Sequence, residues 1–585
     1  GHLYKTFPIN LDKVLFIEGL NGFSDQQILF FDLPSESADG VVVNVKTRLI
    51  NSSPIVMSAG TAGFKMYYKD VLIGKVTLPN LNLVRGENEW FISGYLFELA
   101  PNEMEIVNGF FNDFIKGKDS SVKVVGDYLY SSLDNHTEIS WLRNCFNNLA
   151  MSLKMPGIKD YSPITSISIV QMFIDFSSPI SAENNNFAFP IVVDVGAKYS
   201  LPFGFPLKIT ELSQEIKLLD PKSLSAIALT EFPLSPVLCD QLVREVNGKM
   251  VGTIKVPNSS LALMSSFLES IIAGPRFSML LDGQADSVIK SGLGVMLLKN
   301  LTISQNLEMV GMNSLSNPPP AIKSVKVLKA NPEDGMFQEI QLELTNPSPV
   351  GSNLGQVEFD LYYNNTFIGI SVVNPLILFP GVNNFKAHCL LTLPPNTPLL
   401  EEFLSHYMLG KKIDIQMRGS ETSSALSLLS KPFSNLVIST KIDGINIPLV
   451  EYIKISRSLT GNLFVKFRMV NPMDVPVTIT GFLDFSVYFG EASNSFDPAA
   501  RINSFNVPVL ENPIVVPPRS SLMLSHWIPL DQKASFALEA QLFMEIANQL
   551  YFLTTSKGYI MLLLDEFPVK LYYEQKHIKV YFGIL

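Results

Sequence analysis

The chain has 585 residues, 47% of them hydrophobic and only 17% charged, with a mean hydropathy of +0.23. That length is too great for a single core and implies about four domains. A formal net charge of −10, with no basic run interleaved with aromatics, excludes nucleic acid as an expected partner. The apolar balance fits either large β-sheet cores or apolar surface that meets lipid or other subunits. The longest uncharged run, Leu361 to Phe385, is broken by asparagines and by Pro375 and Pro380, so it is no membrane helix. Membrane anchoring is expected only through a segment outside this sequence, a signal or anchor ahead of Gly1.

Near the start, Val43 and Val45 alternate with Asn44 and Lys46, and a turn follows at Asn51 to Pro54. Phe64-Lys65-Met66-Tyr67-Tyr68 has the period of two of a strand. Lys69-Asp70 is placed as a tight hairpin turn, and Arg85-Gly86-Glu87-Asn88 as a second turn needing a positive φ. Val107, Phe110, Phe111 and Phe114 lie on one helical face, with Asn102 and Glu105 as the expected capping pair. Gly117 ends that helix, and Gly126 follows nine residues later.

A second repeat is expected over 156–318. Its lead-in is Pro202 to Ile209, and its helix stripe is Phe267, Leu268, Ile271 and Ile272, ended by Gly274. Asn317-Pro318-Pro319-Pro320 forms the expected stiff linker. A third repeat copies the first without a gap, 295 positions on. Asn51 meets Asn346, Gly60 meets Gly355, Phe64 meets Phe359, Gly86 meets Gly381 and Asn88 meets Asn383. Its hairpin tip is Asn364-Asn365. Its helix has Thr397 as cap, Pro398 at the first position, and Leu400, Phe403, Leu404 and Tyr407 as stripe. Gly410 and Gly419 repeat the glycine pair. A fourth repeat opens at Pro472 to Ile479, with Phe485, Tyr488 and Phe489 in its core strand and Leu542, Phe543, Ile546 and Leu550 in its helix.

The pattern predicts a mostly β chain of four tandem antiparallel β-sandwiches, each with one inserted α-helix, arranged A-B-A-B. The expected boundaries are 1–155, 156–318, 319–447 and 448–585. What the repeats share is turn formers and core aromatics, so duplication copies a scaffold rather than a reaction centre.

No catalytic or metal constellation emerges. The six histidines show no metal-ligand spacing, and there is no H-E-x-x-H, C-x-x-C or G-x-S-x-G. Asp134-Asn135-His136 reads as a solvated loop, and Glu401-Glu402 as charges favoured by a helix N-terminus. No enzyme activity, cofactor or metal is expected. Cys145, Cys239 and Cys389 are too few and too scattered for a disulfide framework and are read as buried apolar residues. Sequons at Asn364, Asn135, Asn258 and Asn300 are the expected N-glycosylation sites, whereas the one at Asn51 lies in the repeated turn.

Asn346-Pro347-Ser348-Pro349-Val350, Gly355, Phe359, Tyr362-Tyr363, Ile368-Gly369 and Pro380-Gly381-Val382-Asn383 together resemble the late-embryogenesis-abundant group 2 domain, also called the water-stress-hypersensitive-response domain. The nearer resemblance is to its fungal tandem-repeat relatives, vacuolar or secretory proteins of uncharacterised function. Leu201 and Ser52 depart from that pattern. The resemblance implies an immunoglobulin-like seven-stranded sandwich with an added helix, in the vacuolar lumen or outside the cell, and lipid bound in an apolar groove.

Two functions follow as expectations. The first is a non-catalytic lumenal or extracellular protein binding apolar ligands such as lipids, contacted by Phe359, Tyr362, Phe403 and Leu404; each buried CH2 would contribute about 0.8 kcal/mol. The alternative is a structural subunit that self-associates into a fibre or surface layer. Its expected assembly edge is the terminal strand carrying Ile578, Val580, Phe582 and Ile584.

Overall fold

A computed structural model describes residues 13–14, 16–20, 26–159, 161–181, 187–445, 447–457, 463–490, 501–523, 527–529 and 551–584. The chain is mostly β, in several sheets, some of them barrel-like. It gathers into two compact units. The first comprises residues up to Val170, Val192–Ile254 and Met279–Leu307; the second comprises Gln171–Ile191, Lys255–Ser278 and everything from Glu308 onward. The fourth-repeat helix residues Leu542, Phe543, Ile546 and Leu550 lie outside the described residues.

In the first unit an eight-stranded sheet runs in the order Gln26–Asp32, Gly40–Asn51, Gly86–Leu96, Val71–Leu78, Ala62–Tyr68, Ser120–Leu129, Ala150–Met155, with the short Glu36–Ser37 paired to Gly40–Asn51. Alternation sets its inner face: Val41, Val43, Val45 and Leu49 point inward from one strand. The hairpin at Lys69-Asp70 has φ of 43° and 66°, the twist-matched turn expected there. Helix α1 (Pro101–Ile115) buries Val107, Phe110, Phe111 and Phe114. Phe110 meets Tyr68 edge-on at 5.6 Å, and Phe114 stacks on Phe203 at 6.0 Å. Each such ring contributes roughly 1.5–3 kcal/mol by leaving water. The cap is not Asn102 with Glu105. Pro101 fixes the helical start two residues earlier, with Ala100 as the cap, and Glu103 Oε2 accepts the Ala100 N–H at 3.1 Å. Helix α2 (Arg143–Asn147) lays Phe146 against Phe64 at 5.3 Å. Gly294–Val310, Arg276–Ser291, Lys208–Leu219, Ala226–Pro236 and Glu245–Val256 are successive neighbours in a second, eleven-stranded sheet.

In the second unit helix α3 (Leu261–Ala273) buries Met264, Phe267, Leu268, Ile271 and Ile272. A closed barrel runs in the order Ala321–Asn331, Gly335–Asn346, Gly381–Leu391, Thr366–Val373, Val357–Tyr363, Lys412–Arg418, Val437–Asp443, sealed where Ala321 meets Lys441. This order repeats that of the first sheet. Four of its strands begin and end 295 positions after their counterparts. Helices α4 (Pro398–Met408) and α5 (Ser427–Ser434) follow in the places of α1 and α2. Thr397 and Pro398 open α4 as expected, although the Thr397 hydroxyl donates to Pro394 O rather than capping. Of the linker prolines Pro318 and Pro319 are exposed, whereas Pro320 is buried and its carbonyl accepts from the buried Thr440 hydroxyl at 2.7 Å.

A last sheet runs Arg501–Val507, Val477–Phe489, Phe552–Leu564, Phe567–Ile584, Val450–Arg457, Leu463–Asn471, Ser520–Met523. It corrects the expected assembly edge. Val580 is paired on both sides, antiparallel to Phe552 and parallel to Ile453, while Ile578 pairs with Thr554 of Phe552–Leu564 and Phe582 and Ile584 pair with Val450–Arg457. Ile578 and Val580 are buried. Alternation in a sequence reveals a buried face, not whether a strand has neighbours on both flanks.

Candidate functional site

The repeated residues are clamps. Asn51, Asn346 and Asn471 each end a strand and are buried. Asn346 Nδ2 donates to Val350 O at 2.8 Å, and its Oδ1 accepts the Ser348 N–H at 3.0 Å. Asn51 serves Ile55 O and the Ser53 N–H, and Asn471 serves Val475 O and the Met473 N–H, in the same way. Asn88 and Asn383 close the next turn on Val84 and Phe379, beside Gly86 and Gly381 at φ of 90° and 88°. These amides are spent on backbone, so they are unavailable for ligands and, at Asn51, for glycan.

The expected apolar contacts do not gather into one groove. Phe359 is buried and meets Phe433 edge-on at 6.2 Å. Phe403 lines the barrel interior, whereas Leu404 points to the last sheet beside Met469 and Leu571. Tyr362 is only half-buried and carries the Arg418 guanidinium 4.1 Å above its ring. Interior cavities of about 30 Å³ in the first sheet, 40 Å³ behind α4 and 30 Å³ in the barrel hold little more than a water. Ligand sites usually need roughly 300 Å³ or more.

A joint recurs in both units, and sequence reasoning missed it. In the first unit, α1 lies along the strand Gly294–Val310. The Leu297 N–H donates to Asn108 Oδ1 at 3.1 Å, Asn112 Nδ2 to Leu297 O at 3.0 Å, and the Lys299 N–H to Asn112 Oδ1 at 2.7 Å. Two side chains thereby do the work of a neighbouring strand and cover an edge. In the second unit α4 meets the strand Phe567–Ile584 in the same register. Ser405, placed five residues before Gly410 as Asn112 is before Gly117, accepts the Tyr572 N–H at 2.9 Å. Glu401 stands where Asn108 does and turns to Lys570 Nζ at 3.7 Å. The available signal was a pair of asparagines four apart, Asn108 and Asn112, beside the apolar stripe of α1.

The sequon residues Asn135, Asn258, Asn300 and Asn364 are exposed. Asn135 and Asn364 have positive φ in turns, and Asn300 has it within the strand Gly294–Val310. The cysteines depart from expectation: only Cys389 is buried, and Cys145 is exposed on the outer side of α2. Burial pushes the Cys389 thiol up to about 11. In the Asp134 loop, hydrogen bonds from the Thr137 hydroxyl and from the backbone hold the carboxyl down at about 2, which is turn chemistry. Among the described residues no group of His, Cys, Asp and Glu could hold a metal, and no helix is long and apolar enough to cross a membrane.

Residues 246–361 are similar to a family described as protein of unknown function (DUF3712). This corrects the resemblance to late-embryogenesis-abundant group 2 domains: the matching family is a different one, and turn signals with core aromatics are shared by many β-rich repeats. No curated protein matches the sequence. A protein from Corynebacterium diphtheriae described as membrane anchored is 8% identical, over 75% of this chain and 94% of that one, with a TM-score of 0.14. A DUF4785 family protein from Legionella pneumophila is 10% identical, over 65% and 88%, with a TM-score of 0.11. Scores of that size carry no argument about this fold.

Proposed function

We propose that the chain is a non-catalytic structural protein of the secretory pathway, lumenal or at the cell surface. Its repeats act as four immunoglobulin-like β modules in A-B-A-B order, with boundaries near residues 155, 318 and 447. The recurring joint carries this reading. Helix side chains at matched positions are spent on fixing one module's last strand, which favours a stiffened string of modules over a mobile binding machine. The exposed sequon asparagines support a glycosylated, secreted setting. Self-association has a route at the ends of the last sheet. Among the described residues Arg501–Val507 and Ser520–Met523 are each paired on one side only, with Val509, Val515 and Leu522 exposed on or near them.

Sedimentation across a concentration series, with lipid extraction of the same sample, tests this. The expected result is a mass rising with concentration from the 64.9 kDa chain. A monomer at every concentration overturns assembly. A monomer carrying stoichiometric lipid restores the apolar-ligand reading, which would require the interior to open well beyond its present cavities.

A further inference from the structure

The second joint is not a closed copy of the first. Where Asn108 and Asn112 bind the strand backbone in the first unit, Glu401 turns to Lys570 and the short Ser405 reaches only the Tyr572 N–H. A cavity of about 610 Å³ opens there, inside the usual range of roughly 300–1,000 Å³ for small-ligand sites. Its floor is aromatic. Tyr559 and Tyr572 are direct partners across the antiparallel pair, with ring centroids 5.5 Å apart at 69°. Lys570 lies 4.4 Å over the Tyr559 ring and occupies it, so Tyr572 is the available platform. Burial and the Glu574 carboxylate push the Tyr572 phenol up, keeping its hydroxyl a donor.

The walls are polar and already ordered. Tyr363 donates its hydroxyl proton to Glu402 Oε1 at 3.1 Å, and its oxygen lies 3.3 Å from His406 Nδ1. Glu574 and Lys576 stand on the opposite wall, with Lys411 also lining the cleft. The carboxylates of Glu401, Glu402 and Glu574 are balanced by Lys411, Lys576 and the Lys570 ammonium at Glu401. A cleft without net charge gives no advantage to an ionic ligand. Closely spaced acceptors and donors around an aromatic face suit a ring with C–H groups on one side and hydroxyls around its rim.

We propose that this cleft binds a neutral oligosaccharide, with Tyr572 as the stacking platform and Glu402, Glu574 and Lys576 as hydroxyl partners. The test is titration calorimetry on the full chain, backed by saturation-transfer NMR. The probes are laminarihexaose, cellohexaose, mannohexaose, a released high-mannose N-glycan, and an oligogalacturonate as the charged control. The expected result is binding of at least one neutral probe, weakened tenfold or more by Tyr572→Ala. Glu574→Gln combined with Lys576→Gln, both away from the core, should give a similar loss with an unchanged melting curve, which separates loss of the site from loss of the fold. A hexasaccharide hit assigns the site to polysaccharide and an N-glycan hit to protein-borne glycan; either supports the proposal. Binding of the oligogalacturonate alone, of no probe at all, or of a neutral probe equally by wild type and both variants overturns it.

Discussion

Replacing Asn346 with alanine isolates the repeated clamp. The amide is 1% exposed and makes two buried hydrogen bonds, at 2.8 Å to Val350 O and 3.0 Å from the Ser348 N–H. Alanine removes both partners and leaves a donor and an acceptor in a closed turn. Each orphaned group costs about 1–3 kcal/mol, so the expected loss is about 2–5 kcal/mol after some relief by water. Ser348 cannot take over, because its hydroxyl already donates to Val310 O and accepts the Val350 N–H. A global melt would blur the effect in a chain of several cores. Hydrogen exchange of the barrel amides reads it locally. At about 1.4 kcal/mol per decade, protection around residues 340–352 should fall by roughly thirtyfold or more. The first-unit amides serve as internal control and should not move. A fall below about threefold would refute the reasoning, because the clamp would then be dispensable to the turn it repeats.

Gly419→Ala should cost more than Gly381→Ala by thermal melting. A Cβ at 419 would lie 2.2 Å from Phe433 O, which is backbone and cannot yield, whereas Gly381 has open space and only its φ of 88° to defend, worth about 1–2 kcal/mol. Thiol labelling should modify Cys145 at once and Cys389 only on unfolding. Because burial raises the folded Cys389 thiol from 9.0 to about 11, its stabilising contribution is complete below pH 9. It is lost as the pH rises toward 11, by about 3 kcal/mol at most. A Cys389→Ser chain should lose that alkaline dependence.

What the sequence made legible was local. Lys69-Asp70 and Asn364-Asn365 announce hairpins because few residues tolerate the left-handed backbone such turns need, and each turn sets the register of the two strands it joins. The helix stripes were legible because Phe110, Phe114, Phe403 and Leu404 recur at helical spacing. What stayed hidden depends on partners far along the chain. Gly126 and Gly419 recur because Phe146 O and Phe433 O press against them, a contact that no local pattern contains. Closure of the barrel at Ala321 and Lys441, and the double pairing of the strand through Val580, are lateral facts that alternation along one strand cannot encode.

The joint also explains why the two copies need not have the same use. Cores tolerate little change, since a buried Phe or an Asn clamp is tied to many neighbours at once. A helix face lying on a strand edge is freer, because a lost side-chain bond there can be met by water. Asparagine at 108 and 112 reads the strand backbone in two directions, as only an amide can. Glutamate at 401 turns from the backbone to the Lys570 ammonium, and serine at 405 reaches a single N–H. The matched positions carry different bonds in the two copies, and beside the second lies a cleft floored by Tyr559 and Tyr572. Divergence between the copies is therefore most informative where modules meet, and least informative in the turn signals that first reveal the duplication.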